Sequence, residues 1–183
     1  SDATHEERFL EALEESAARA HRTVQEVAPT EPGRKAPATT LTLGLWVWPR
    51  AYILQVGDSR AYVYRKNALR RVTRDQTFAE DMVDRGALTP EQAETSPLRN
   101  VLSSAIGGSL TTPVVTRVTS TRDSIWLLCS DGLTRHVSDE RIAERLATIA
   151  SSEQTCRTLL QDALDGGGTD NVTILIGKVR RNG

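Results

Sequence analysis

Three aspartates in this 183-residue chain share one kind of sequence environment. Asp58 follows the apolar run "YILQV" in Gly57-Asp58-Ser59-Arg60. Asp131 follows "IWLLC" in Ser130-Asp131-Gly132. Asp170 precedes "NVTILIG" in Thr169-Asp170-Asn171. Each stands where an apolar β-type segment begins or ends. If those segments are neighbours, the three carboxylates converge at one rim and repel one another. A hard divalent cation with oxygen ligands, Mg²⁺ or Mn²⁺, is the natural counter-charge. No His or Cys grouping has the spacing of a zinc site. Taken singly, each aspartate is as readily a turn residue. No Ser, Cys or His is marked as an activated nucleophile. Cys129 lies inside an apolar run and reads as core packing, and Cys156 reads as a helix thiol.

The elements that must carry these residues follow from periodicity. Phe9, Leu13, Ala17, Ala20 and Val24 form one helical stripe in "THEERFLEALEESAARAHRTVQEV", with Thr4 and Glu7 in a capping-box pattern. His5 and His21 read as solvated residues of that helix. Prolines and a glycine make 28–37 a loop. "TLTLGLWV" alternates with Leu41, Leu43, Leu45 and Val47 on one face, and "AYILQVGD" with Tyr52, Leu54 and Val56. "RAYVYRK" and "ALRRVT" pair around Asn67. "FAEDMVDRG" and "TPEQAETS" predict two short helices, the second opened by Thr89 and Pro90. "VVTRVTS" and "DSIWLLCSD" return to strand. Ser138 caps one helix, Ser151 or Ser152 the next, and "DGGG" stops it. "NVTILIGKV" closes the chain as a strand.

Strands close enough for hairpins, with helices before, between and after them, predict an α+β fold of stacked, mostly antiparallel sheets with helices outside. The length suits a single domain. A formal net charge of −1 and the absence of a basic block argue against a nucleic-acid partner. No apolar stretch reaches the roughly 20 residues of a membrane helix, and the acidic, polar start is not a signal peptide. Cysteine usage fits a reducing, cytoplasmic compartment.

The segments "VGDSRAYVYR", "TRDQTFAEDMVDRGALTPEQA", "RNVLSSAIGG", "DSIWLLCSDGL" and "GGGTDNVTILI" occur in an order that resembles the metal-dependent serine/threonine protein phosphatases of the PPM, type 2C, kind in their compact bacterial form. The likeness covers the chain from Thr39 to Val179. It implies two stacked, mostly antiparallel β-sheets flanked by helices, and hydrolysis of phosphoserine and phosphothreonine through a metal-activated water. The substrates implied are phosphoproteins, targets of serine/threonine kinases. By resemblance Asp131 and Asp170 ligate the first ion of a two-metal Mg²⁺ or Mn²⁺ centre, and Asp58 joins Asp131 at a third, weaker site. Residues 76–108 correspond to a flap beside the active site, and Gln76 stands where many relatives carry histidine. Relatives also have an Asp-Gly-x-Gly-Gly stretch ahead of the first long helix. Here Asp-Gly occurs only at 131–132 and 165–166. The resemblance therefore implies an N-terminally incomplete domain over 1–183, whose turnover alone is weak. A catalytically inactive binding module on the same fold is the alternative.

Overall fold

The computed structural model describes residues 2–27 and 36–179. The expected loop at 28–37 thus lies outside the described residues except at Ala36 and Pro37. The element order is α1 (Asp2–Glu26), β1 (Leu41–Val47), β2 (Arg50–Val56), β3 (Arg60–Arg65), β4 (Ala68–Arg71), α2 (Phe78–Asp84), α3 (Pro90–Thr95), β5 (Val114–Thr119), β6 (Ile125–Cys129), α4 (Asp131–Thr134), α5 (Asp139–Ala147), α6 (Ser152–Asp165) and β7 (Ile174–Lys178). The strands form a three-stranded sheet ordered β1-β2-β5 and a four-stranded sheet ordered β4-β3-β6-β7, an α+β fold as the sequence predicts.

In the first sheet β1 and β2 are joined through Trp48-Pro49, a connection short enough only for an antiparallel pair. β2 is central, and Ala51–Val56 are all buried, so both of its faces are covered where the sequence suggested one. β1 is an edge strand. Leu43 and Val47, expected to face a core, are 39% and 58% exposed, because alternation in the sequence does not say whether anything packs on the apolar face.

The chain forms two compact units. One comprises Ser1–Gly44, Tyr52–Asp58 and Asp75–Thr116; the other comprises Leu45–Ala51, Ser59–Arg74 and Arg117–Gly183. In the first, Ala17 of α1 is buried with Leu54, Val56 and Ile106, and Val24 packs against them. The Phe9 ring meets Tyr52 edge-on at 5.0 Å, and the Tyr52 hydroxyl donates to Glu6 Oε1 at 2.6 Å. Ala20, placed on the same stripe by periodicity, is exposed. Two expectations for α1 change. The helix already includes Thr4, so Thr4 is not its cap. His21 is not a solvated histidine, since its Nδ1 accepts the Gly107 N–H at 3.0 Å. The two short helices form as expected: Thr77 caps α2, and Thr89 with Gln92 makes a full capping box on α3 with Pro90 in its first turn.

In the second unit every pairing of the four-stranded sheet is antiparallel. β3 and β4 turn through Lys66 and Asn67, both with positive φ (49° and 59°), the backbone of a tight hairpin turn whose twist suits its strands. One face presents Tyr62, Tyr64, Ile125, Leu127 and Cys129 to Leu133, Val137, Ile142, Leu146, Leu159 and Ala163. On the other face Trp126 meets Trp46 edge-on at 5.4 Å. Burial on both faces explains why "IWLLC" is continuously apolar rather than alternating. Cys129 is core, as expected, and neither cysteine is in a disulfide. Tyr62 is anchored at its tip, donating to Asp139 Oδ1 at 2.9 Å and accepting from Arg60 at 3.2 Å. Burial pushes its phenol well above the ordinary tyrosine range, with Arg60 opposing the shift.

The helices of this unit have the termini the sequence encodes. Ser151 caps α6. At its other end the Gly168 N–H reaches the Ala163 carbonyl and the Gly167 N–H the Leu164 carbonyl, both at 3.1 Å, with Gly167 and Gly168 at positive φ. This is the hydrogen-bond pattern of a glycine helix stop. Arg145 grips Asp162 with two bonds of 2.7 and 2.8 Å, tying α5 to α6. Ser138 caps α5 by accepting the Arg141 N–H at 3.3 Å. Ser138→Ala is expected to cost about 1 kcal/mol, read as a lower urea midpoint at unchanged m-value. No change in midpoint would show that this cap contributes nothing.

Candidate metal centre

The end of β6 and the loop before β7 are stitched together by one serine. Ser130 is extended and occupies the N-cap position of α4, yet its side chain makes no capping bond. Its hydroxyl instead donates to the Asn171 carbonyl at 3.2 Å and accepts the Thr173 N–H at 3.0 Å. Its own N–H donates to the Thr173 carbonyl at 3.1 Å. The strand therefore begins at Ile174 rather than at Asn171 as the apolar pattern suggested, because Asn171 and Thr173 spend backbone groups on Ser130.

Asp131 does not simply end a strand. It is the first residue of α4, a single helical turn absent from the sequence reading. The buried Gly132 follows. A Cβ there would lie 2.9 Å from the Asn171 carbonyl carbon and closer still to its oxygen. Gly132 therefore lets α4 approach the Asp170-Asn171 backbone.

That approach brings Asp131 and Asp170 to one cation. Arg135, at the C-terminal cap of α4, pairs through Nη2 with Asp131 Oδ2 and through Nη1 with Asp170 Oδ2, the latter at 2.8 Å. Asp170 Oδ1 accepts the Asn171 N–H at 2.8 Å. All three side chains are partly exposed, so the positive charge between the carboxylates is in contact with solvent. A pair of carboxylates from separate segments, already converging on positive charge, supplies oxygen donors suited to a hard divalent ion. The donor set fits Mg²⁺ or Mn²⁺, and Asp131 and Asp170 are the side chains here that could hold such an ion. Among the described residues, no three His, Cys, Asp or Glu side chains gather into a group that could hold an ion by themselves.

Asp58 lies in the first unit, buried at the turn after β2. Gly57 before it has φ +103°, and a Cβ there would run into the Thr40 side chain. Gln76 fixes this turn. Its Oε1 accepts the Gly57 N–H at 2.7 Å, its own N–H donates to the Gly57 carbonyl at 3.1 Å, and its Nε2 donates to the Thr112 carbonyl at 2.8 Å. Gln76 thus bonds through both its amide oxygen and its amide nitrogen as well as its backbone N–H.

No family model matches the chain. It is 39% identical over 149 residues, 81% of its length, to the serine/threonine protein phosphatase PstP of Mycobacterium tuberculosis, and spans 29% of that protein. It is 32% identical over 191 residues to the serine/threonine phosphatase stp of Listeria welshimeri, covering all of this chain and 75% of the relative. This chain belongs to the PPM, type 2C, phosphatase family. The crystal structure of the PstP catalytic domain in complex with two manganese ions superposes with a TM-score of 0.74 at 34% identity, over 90% of this chain and 67% of that one.

Two residues of this PPM chain escaped the sequence reading. Arg135 had a signal: a cation four residues after Asp131 faces it if the intervening turn is helical. His136 had none, because its partners lie thirty and more residues away. Its Nδ1 is 3.0 Å from the Gly166 carbonyl, and its Nε2 is 2.9 Å from Thr169 Oγ1 and 3.3 Å from the Thr169 N. A carbonyl can only accept and an N–H can only donate, so Nδ1 carries the proton and Nε2 accepts.

Proposed function

We propose that this PPM chain is the catalytic part of a protein phosphatase that hydrolyses phosphoserine and phosphothreonine esters with Mg²⁺ or Mn²⁺ bound. Its substrates would be the phosphoprotein products of serine/threonine kinases in cytoplasmic signalling. The observation that carries the reading is the meeting of Asp131 and Asp170, from separate segments, on a single guanidinium. Bound ions would supply an acidified water as nucleophile and would neutralise charge on the phosphoryl oxygens. The chain's own part is to hold the ions through Asp131 and Asp170. Ser130 and Gly132 set the distance between those carboxylates, and Arg135 balances their charge. Asp58 serves a third, weaker ion and 76–108 a substrate-access flap. Both of these assignments rest on the family resemblance of "GDSR" and of the two-helix excursion. A net charge of −1 gives nucleic acid no electrostatic footprint. Among the described residues no helix is long and apolar enough to cross a membrane.

The test is turnover of a phosphothreonine peptide and of para-nitrophenyl phosphate by the intact protein. Activity is expected to need added Mn²⁺ or Mg²⁺ and to fall to background in excess EDTA, returning when the ion is restored. Hydrolysis that persists undiminished in chelator would refute the metal-dependent reading.

A further inference from the structure

Asp170 sits in a loop pinned on both sides. After it, Ser130 holds Asn171 and Thr173. Before it, His136 holds Gly166 and Thr169. Its neighbour Arg135 meanwhile reaches the Asp170 carboxylate itself. The fit around His136 is close: a Cβ on Gly166 would lie 2.8 Å from the His136 carbonyl oxygen and 3.0 Å from its Cβ. Gly166, Gly167 and Gly168 offer the chain wide backbone freedom at this point, and free glycines would let the following aspartate wander. The imidazole removes that freedom with one donor and one acceptor, and its last partner, Thr169, is bonded directly to Asp170.

We propose that His136 is a positioning residue for Asp170, setting how tightly this carboxylate holds its divalent ion. The proposal rests on the metal-centre reading above. His136 does not ligate the ion. It immobilises the residue before the ligand, as supporting hydrogen bonds do for ligands in metal sites generally. A residue that merely finished α6 would affect stability without singling out the metal.

Mn²⁺ affinity of the intact protein, read from the electron paramagnetic resonance signal of free Mn²⁺, separates the two. His136→Ala is expected to bind about 10-fold or more weakly, within the range lost when ligand-supporting partners are removed. Asp170→Asn is expected to lose at least as much, and adding His136→Ala to it should cost little more, because both act through one carboxylate. His136→Gln retains an acceptor near Thr169 and should recover most of the affinity. His136→Asn retains a donor toward Gly166 but no acceptor for Thr169, and should not. The proposal is overturned if His136→Ala binds Mn²⁺ as wild type does, or if its loss adds in full to that of Asp170→Asn. Should His136→Ala fail to fold, the order of the Gln and Asn variants decides, and Asn binding as tightly as Gln overturns it. Equal binding by wild type and Asp170→Asn would refute the metal assignment itself, a result distinct from normal binding by His136→Ala alone.

Discussion

Asp131→Asn in the intact protein is expected to lower phosphatase turnover by about 10²- to 10³-fold while leaving the fold in place. A metal contributes several kcal/mol to a phosphoryl-transfer transition state, and each 1.36 kcal/mol is a factor of ten in rate. An amide keeps the shape of the carboxylate but loses the charge that a hard cation needs. The fold should tolerate the change. Asp131 is partly exposed, and its pair with Arg135 is in contact with solvent; such pairs contribute at most about 1 kcal/mol. The substitution also removes one of two neighbouring negative charges, and Arg135 keeps its bond to Asp170. The residues that hold α4 down, Leu133 and Val137, remain buried in the core. The measurements are turnover at saturating Mn²⁺ and the thermal midpoint without metal. A folded Asp131→Asn protein with wild-type turnover would remove Asp131 from the chemistry.

The places of Asp131 and Asp170 beside apolar strands were legible, but singly each is an ordinary turn residue, and the metal role proposed for them rests on the set of aspartates and on the family resemblance. Both strands were legible as strands, although β7 starts later than its apolar pattern. "IWLLC" suits burial on both faces, and Trp46 and the α4–α6 side chains cover it. The hairpin at Asn67 and the caps at Thr89, Ser138 and Ser151 were legible for a related reason. Each depends on one or two residue types acting within four positions. What escaped depends on the whole chain. α4 is a single turn, too short to show a period. The exposure of Leu43 and Val47 depends on what else packs there, which alternation cannot encode. Thr4 and Glu7 spell a capping box that is not used, because the helix extends past it to Asp2. His136 looks like any surface histidine until residues 166–169 are folded against it. A local sequence pattern states what a residue can do; the partners thirty positions away decide whether it does.

Gly132→Ala sets two local rules against each other, and the structure decides the sign. Alanine is the better helix former by about 1 kcal/mol, so helix propensity alone predicts a more stable protein. The added Cβ, however, would press on the Asn171 carbonyl group, oxygen and carbon both. Those are backbone atoms, which no rotamer change can move aside. Asn171 is further held by its carbonyl bond to Ser130 and its N–H bond to Asp170, so α4 must retreat instead. Leu133, fully buried, would be drawn out of its contacts. Overpacking of this kind costs about 1–3 kcal/mol, enough to cancel the gain in propensity and leave a net loss of stability. The larger consequence is for the proposed metal centre, since α4 carries Asp131 and the loop it presses on carries Asp170. Mn²⁺ affinity is expected to fall about 10-fold or more, as it does when the support of metal ligands is disturbed. Gly177→Ala is the matched control: it lies in β7, has no atom within 4 Å of the new Cβ and does not need positive φ, so both stability and Mn²⁺ affinity should hold or rise slightly. Urea denaturation and Mn²⁺ titration of the two variants read the difference. If Gly132→Ala is instead the more stable protein and binds Mn²⁺ normally, α4 does not need the contact with Asn171, and the spacing of the two carboxylates is set elsewhere.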